Sequence, residues 1–557
     1  MKTIWKKLAA ALTAGAALLS TALLAGCAGT EIDDPNRFDE NVDSGKTQLY
    51  VGYYNGGAGL TWLKEVKRLF EEKHQDYQIM IDTGKDEYLS EALRSNIKTN
   101  RQDLYIGAAI NYNDFVKDGT LMELSEAVST PLSEYGESKS ILDKMNASLA
   151  EYYTTADGRI FAVPYDQSYH HLIFDADLFD EYNLWYKDGG GFAESAEDKK
   201  SAGQDGEFGT WDDGLPVTYS DFFKLCDRMV ARGITPLTWS GQYADSYLPN
   251  FIASVIADYE GADFATNFDY DGQTTIISGT DFTESAANTF VLDAASTENV
   301  TVTPDNFSEY MYRTAGKYYA VKFAKDLVSN PAYRSYNYAE SHTGVQRSFL
   351  MSNMEGVNKP IAMLVEGNWW INESESVFAE MAAVDEKYAL ENRRFGVMPI
   401  PKADDGSSAD GHTIAPYSGS WTVCISNQSE KKDIAVEFFR FLHTDECLKV
   451  FTEYSHCFRP YDCDMSELAG KLPYYTRMLL EAQADSEFIF KVPNGVYKSS
   501  SDADIFMQYL GFMGSQVGAA ETYNMMSFFC DNAGVSAKEY FEGMQTTFTR
   551  SLPDSMK

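Results

Sequence analysis

An α/β fold with a parallel sheet is expected early in the chain, because three strand-like runs alternate there with two helical patterns. Thr47 to Tyr54 reads as a strand, with Leu49, Tyr50 and Val51 near its centre. Trp62, Leu63, Val66, Leu69 and Phe70 then recur at helical spacing. Gln78 to Asp82 gives a second strand, Leu89, Leu93 and Ile97 a second helix face, and Leu104 to Gly107 a third strand. The order βαβαβ calls for a parallel sheet covered by helices. Ligands of such sheets sit outside the carboxyl ends of the strands. That rule places Tyr54, Asn55 and the segment Ala108 to Asn113, with Asn111 in it, beside a binding crevice. The loop Asn55-Gly56-Gly57-Ala58-Gly59 completes neither G-x-x-x-x-G-K-[ST] nor G-x-G-x-x-G, so it does not mark a phosphate site. Its expected role is to let the backbone turn into the helix.

Ahead of this unit the chain carries an export signal. Lys2, Lys6 and Lys7 precede an uncharged Ala- and Leu-rich stretch from Leu8 to Leu24. Residues 1–26 are therefore expected to be a secretory signal peptide. The stretch runs into Leu24-Ala25-Gly26-Cys27, which resembles a bacterial lipobox. By that resemblance Cys27 receives a diacylglyceryl group and becomes the first residue. Acyl chains hold a protein to a membrane by burying methylenes at roughly 0.8 kcal/mol each. Residues 27–46 are polar, without an apolar period, and read as a lipid-anchored flexible linker. The expected location is the outer face of the cell membrane.

Composition limits what the rest can do. The chain has 557 residues, enough for more than one domain, and 44% of them are hydrophobic, enough for a large core. Its net charge of −37 is spread along the sequence and argues against nucleic-acid binding, which needs a basic footprint. It argues equally against attachment to anionic lipid by charge, which leaves the lipid anchor as the one membrane contact. With Cys27 lipidated, Cys226, Cys424, Cys447, Cys457, Cys463 and Cys530 remain, and no CxxC occurs. Neither a zinc ribbon nor a thioredoxin-type site is supported. Cys457 and Cys463 are close enough in sequence to pair, and free buried thiols fit equally well. Further on, Thr218 with Asp221 makes a capping-box-like helix start before Phe222, Leu225, Cys226 and Met229. Ile434, Ala435, Phe438, Phe439 and Leu442 form another helix face, and Gly189 to Gly214 reads as a long surface loop.

Four separated runs, in order along the chain, resemble those of one family. The first is Gly158-Arg159-Ile160-Phe161-Ala162-Val163-Pro164-Tyr165, continued by Leu172-Ile173-Phe174-Asp175 and Asp177-Leu178-Phe179, with Asp175 where the family usually has Asn. The second is Gly367-Asn368-Trp369-Trp370 and the third Phe395-Gly396-Val397-Met398-Pro399-Ile400-Pro401. The fourth is Gly419-Ser420-Trp421-Thr422-Val423, followed by the helix around Phe438 and by Phe458-Arg459-Pro460. They resemble the extracellular solute-binding proteins of carbohydrate ABC transporters, a maltose-binding-protein-like family, and the resemblance runs from about Thr47 to Pro460 and is looser beyond. It implies a two-lobed periplasmic-binding-protein-like α/β fold with hinge strands and a central ligand cleft. By analogy the chain crosses between lobes at Val163–Asp166 and at Val397–Ile400. One lobe would be 47–164 plus 398–444, and the other 165–397 plus 445–557. The implied function is the substrate-binding component of an importer, non-catalytic and monomeric, which closes around a sugar and presents it to ABC permease subunits.

The residue types suit a sugar, whose apolar C–H faces stack on rings and whose hydroxyl rim binds carboxylates and amides. Trp369, Trp370, Trp239, Trp421, Tyr165 and Tyr243 are the stacking candidates. Asp166, Asn55, Asn111, Gln242 and Arg459 are the hydroxyl-binding candidates. Each also has a plainer role: one tryptophan of the 369–370 pair belongs to a core, Asp166 can satisfy hinge amides, Asn at a turn needs no function, and Arg459 can be a structural ion pair. The fold needs no cofactor. One structural Ca²⁺ site is a candidate, because Ser201 to Asp213 aligns with a 12-residue calcium loop that has Gly206 at its sharp turn. Asp205, Glu207, Asp212 and Asp213 would be its ligands. Two other functional classes stay open at this stage. One is a secreted glycosidase, which needs two carboxylates about 5–9 Å apart; neither H-E-x-x-H nor G-x-S-x-G occurs. The other is a surface glycan-binding lipoprotein without a permease.

Overall fold

The computed structural model describes residues 38–552 apart from 85, 265–272, 280, 304, 358, 417–420 and 491–510. The signal peptide, Cys27 and most of the linker lie outside the described residues, as do Gly419 and Ser420 of the fourth family-like run. Strands β1 (Thr47–Tyr54), β2 (Tyr77–Gly84), β3 (Leu104–Ala109) and β4 (Ala162–Pro164) come first. They are followed by β5 (His170–Asp175), β6 (Thr235–Trp239), the hairpin β7 (Gln273–Ile277) and β8 (Thr297–Thr301), and β9 (Arg334–Ser335). Then come β10 (Ile361–Gly367), β11 (Phe395–Met398), β12 (His412–Ile414), β13 (Trp421–Ile425), β14 (Ser486–Phe488) and the hairpin β15 (Ser515–Val517) and β16 (Ala520–Thr522).

Two five-stranded sheets organise two lobes. The first has the order β2-β1-β3-β13-β4 and the second β11-β5-β10-β6-β9. β1 pairs in parallel with β2, from Thr47 opposite Tyr77 to Tyr54 opposite Gly84, and in parallel with β3, so the opening βαβαβ forms as its pattern requires. β13 returns antiparallel between β3 and β4. In the second sheet β10 is parallel to β6 and antiparallel to β5. The periodic apolar faces account for the covering helices. Thr61–Lys73 buries Trp62, Leu63, Val66 and Phe70. Tyr219–Ala231 buries Phe222, Leu225, Cys226 and Met229, and the Thr218 side chain caps it at the Asp221 N–H. Lys432–Phe441 buries Ile434, Ala435, Phe438 and Phe439.

Each lobe has its own hydrophobic core, and core membership moves two of the expected boundaries. At the first expected crossing, β4 belongs to the first sheet and β5 to the second. The second does not fall at Val397–Ile400. β11 pairs with β5, Phe395 opposite Asp175 through Met398 opposite Leu172, and Met398, Ile400, Ala403 and Ala415 all join the second core. Trp421, which begins β13, belongs to the first sheet. The helix Asp445–Ser455, assigned by analogy to the second lobe, buries Cys447, Leu448 and Phe451 in the first core. The C-terminal segment completes the second lobe. Tyr475, Met478 and Leu479 of helix Tyr474–Ala484, and Tyr540, Phe541, Met544 and Phe548 of helix Ala537–Ser551, are part of its core. All six cysteines among the described residues are free thiols, so Cys457 and Cys463 do not pair. No helix among the described residues is long and apolar enough to cross a membrane.

Candidate ligand-binding cleft

Between the lobes lies a cavity of about 430 Å³. Its first-lobe wall is Tyr54, at the carboxyl end of β1, the Gly56–Ala58 loop after it, and Trp421 at the start of β13. The Tyr54 and Trp421 rings meet at 4.6 Å between centroids. Its second-lobe wall begins where β10 ends, with Asn368, Trp369 and Glu373, and adds Tyr243, Tyr247 and His342. The hinge segment Tyr165–Ser168 and Phe451 also line it. The site therefore sits at strand carboxyl ends, where an α/β sheet offers a ligand crevice.

The hinge is held by hydrogen bonds that consume its own backbone. Arg459 Nε donates to the Tyr165 carbonyl at 2.9 Å, Nη1 donates to the Leu442 carbonyl at 2.8 Å, and Nη2 meets His443 Nε2 at 2.7 Å. Asn368 Nδ2 donates to the Gln167 carbonyl at 3.1 Å, and its Oδ1 accepts from the Tyr169 N–H at 3.3 Å. The Tyr165 hydroxyl lies 3.2 Å from that of Tyr53, and burial raises its pKa well above the usual tyrosine value. Asp166 stands apart. Ser168 Oγ donates to its Oδ2, while its Oδ1 is buried with no hydrogen-bond partner. Burial pushes its carboxyl up to about 6, against the opposing effects of Ser168 and Arg459. A buried acceptor of this kind calls for a donor.

Trp369 is seated between two glycines. A Cβ on Gly57 would lie 2.3 Å from its Cδ1, and a Cβ on Gly367 2.3 Å from its Cη2. Next to it Asn372 Nδ2 donates to the Gly57 carbonyl at 2.5 Å, so the glycine loop of the first lobe rests on the second. Tyr247 stands edge-on to Trp369 at 6.1 Å, and Tyr243 stacks on Tyr247 at 5.9 Å and 25°. Behind Glu373, Gln346 Nε2 donates to its Oε2 at 2.9 Å and to Glu366 Oε2 at 3.2 Å. Burial and then the Glu373 charge push Glu366 up to about 8.

The model of the bacterial extracellular solute-binding proteins matches residues 55–446, most of the chain. The chain belongs to that family. Its fold is similar to that of the solute-binding protein RafE in complex with raffinose, at 14% identity over 91% of this chain and 100% of the other, with a TM-score of 0.51. It is similar in the same way to a chitin oligosaccharide binding protein (14%, 91% and 99%, TM-score 0.51). A third likeness is to the GacH receptor of Streptomyces glaucescens, solved unliganded and with acarbose (12%, 91% and 99%, TM-score 0.50). At these identities the likeness establishes the two-lobed fold. No curated sequence matches significantly.

Within this family member, the structure brings Tyr165, Asp166, Tyr243, Trp369 and Trp421 to one cleft. It sends the other candidates elsewhere. Trp370 is fully buried in the second core, edge-on to Phe395 and Tyr475, because a helix starts at that residue and turns it inward. Trp239 is buried and stacks on Tyr336 at 4.5 Å, outside the main cleft. Gln242 is exposed on the loop before helix Ala244–Glu260. The Asn55 N–H is bonded to the Gly84 carbonyl, and Asn111 caps the helix Tyr112–Lys117. Arg459 is the buttress described above. Tyr247, His342, Glu373 and Ser168 were not singled out from sequence. The spacing of Tyr243 and Tyr247, four residues apart on one helix face, was the signal for the first.

The acids of the calcium-like loop serve the loop itself. Asp212 is fully buried, and its Oδ2 accepts from the N–H groups of Gln204 (2.6 Å) and Asp205 (3.2 Å) while Oδ1 accepts from Thr210 Oγ1 (3.0 Å). Burial pushes its pKa up, but the His412 imidazole beside it, 3.6 Å from Oδ2, and the hydrogen bonds from these partners outweigh that and leave it below the usual carboxylate value. Asp205 Oδ1 accepts from the Glu207 N–H and Asp213 Oδ2 from the Gly209 N–H. The Glu207 carboxylate is at the surface. No three His, Cys, Asp or Glu side chains among the described residues group as metal ligands, so Asp205, Glu207, Asp212 and Asp213 do not form the expected Ca²⁺ cage.

Proposed function

We propose that the chain is the substrate-binding component of a carbohydrate ABC importer, held outside the membrane by lipid on Cys27. It binds a sugar or oligosaccharide in the interlobe cleft and delivers it to a permease. The observation that carries this reading is the pairing of aromatic walls on both lobes with the unpartnered Asp166 Oδ1 between them. Rings cover the C–H faces of a pyranose, and the carboxylate accepts from its hydroxyls. Raffinose, acarbose and chitin oligosaccharide, named for the three similar structures, are all of this chemistry. Contact with both walls favours the closed arrangement of the lobes by the difference in affinity between the two states.

Calorimetric titration with a glycan panel tests the reading, with at least one saccharide binding in the micromolar range or tighter, about −8 kcal/mol. Binding of another solute class and of no saccharide overturns it. Bound oligosaccharide recovered intact after long incubation is the expected result, and hydrolysis would establish the glycosidase alternative. Cys27→Ser is expected to move the protein from the membrane fraction into the medium. Growth on the identified glycan should fail when the cognate permease is deleted, whereas unimpaired growth would favour a surface glycan-binding lipoprotein.

A further inference from the structure

The described lining of the cleft carries two carboxylates, Asp166 and Glu373, and neither lysine nor arginine. The arginine nearest in the hinge, Arg459, is turned away onto the carbonyls of Tyr165 and Leu442 and onto His443. The one lining imidazole, His342, has Nε2 3.7 Å from Glu373 Oε1 and is thus set against an acid. An anionic group on a ligand would meet like charge at close range, with neither lysine nor arginine among the described lining residues to pair with it, in a chain whose net charge is −37. A hydroxyl meets the reverse: an acceptor at Asp166 Oδ1 that is buried and lacks a donor.

Three aromatic side chains of the described lining adjoin one another. Trp369 in its glycine seat has Tyr247 edge-on at 6.1 Å, and Tyr247 stacks on Tyr243 at 5.9 Å. Tyr243 stands at the rim, where it is 39% exposed. The cavity of about 430 Å³ is larger than one hexose needs. It still lies toward the lower end of ligand pockets, which span about 300–1,000 Å³.

We infer that the cleft selects by charge and by length: it takes an uncharged saccharide of two or three units and rejects uronates, sulfates and phosphates. Asp166 and Glu373 set the charge rule, and Tyr243 carries the outermost unit. This rests on the saccharide reading above. Rejection here is built from like charge as much as from contacts to the accepted ligand.

The test is calorimetry at pH 7 with neutral gluco-, galacto- and N-acetylglucosamine-based mono-, di- and trisaccharides, each beside its uronic acid counterpart. The tightest neutral ligand is expected to bind its uronate form at least about 100-fold more weakly. The double variant Asp166→Asn, Glu373→Gln, checked for an intact thermal transition, should narrow that ratio to below about tenfold. Tyr243→Ala should weaken the longer saccharide about fivefold to tenfold more than it weakens the monosaccharide. A uronate that binds wild-type protein as tightly as its neutral counterpart overturns the charge rule, and a monosaccharide that binds as tightly as its trimer overturns the length rule. In either case the receptor reading still stands. Failure of every saccharide to bind overturns the receptor reading and this inference with it.

Discussion

Asp166 shows how one side chain trades stability for binding. Its folded pKa of about 6 lies above the unfolded value near 3.8, because burial disfavours the charge. The native state therefore holds the proton more tightly than the unfolded chain does. The associated stability is fully present below about pH 4 and is lost as pH rises through about 6. Asp166→Asn is predicted to stabilise the ligand-free protein at pH 7 by about 1–3 kcal/mol and to have no such effect near pH 3.5, read as Tm across that range. The same variant should bind the ligand more weakly. Sequence could flag Asp166 as a hinge acid, but it could not show that one oxygen is satisfied by Ser168 and the other is not. Trp369 and Trp370 make the same point. They are neighbours at a strand-to-helix turn, where neither the period of two nor that of 3.6 applies, so only the fold reveals that one faces the cleft and the other the core.

At the scale of elements, the glycine loop has a role that its turn chemistry alone did not disclose. Gly57 has no Cβ, and the Trp369 ring occupies the space one would take. Gly57→Ala is predicted to keep the lobes from meeting and to weaken ligand binding by about tenfold or more, because closure then contributes less. Thermal stability without ligand should change little; a titration beside a melting curve separates the two effects. The Asp212 loop is a second case. Asp212→Ala removes three hydrogen bonds to a fully buried carboxylate and is predicted to cost about 2–4 kcal/mol, measured by urea unfolding. Chelator treatment should leave the melting temperature unchanged, and a loss that added Ca²⁺ restores would contradict the structure. The Asp, Gly and Thr spacing of that loop was readable in sequence. Calcium loops and Asx turns share that spacing, which is why the metal reading arose. The strands that the sequence placed on β1–β3 formed there because apolar runs and helical faces alternate cleanly. The return crossing was misplaced because β11 is a short apolar strand that suits either sheet. Pairing with β5, a contact across more than 200 residues, decides between them.

For the molecule as a whole, two cores joined at a hinge separate folding from function. The C-terminal segment, where family resemblance fades, is assigned to the second lobe by analogy alone, because among its partners is the helix Ala315–Ser329 far back in the chain, a contact that no local pattern discloses. Beside that contact Phe548 is fully buried against Phe307 and Tyr312, which precede the helix. Phe548→Ala is predicted to cost about 3–5 kcal/mol in denaturant unfolding and to leave ligand affinity unchanged. A large loss of affinity would mean that the segment shapes the cleft as well as the core. One consequence belongs to the molecule in motion. The indole of Trp369, half-buried at the cleft, is approached by a glycine from each lobe, so parting of the lobes would admit more water to it and closure would remove part of that water. Its emission colour and quantum yield should follow the opening and closing cycle in real time, an optical gauge built into the native chain that needs no attached dye.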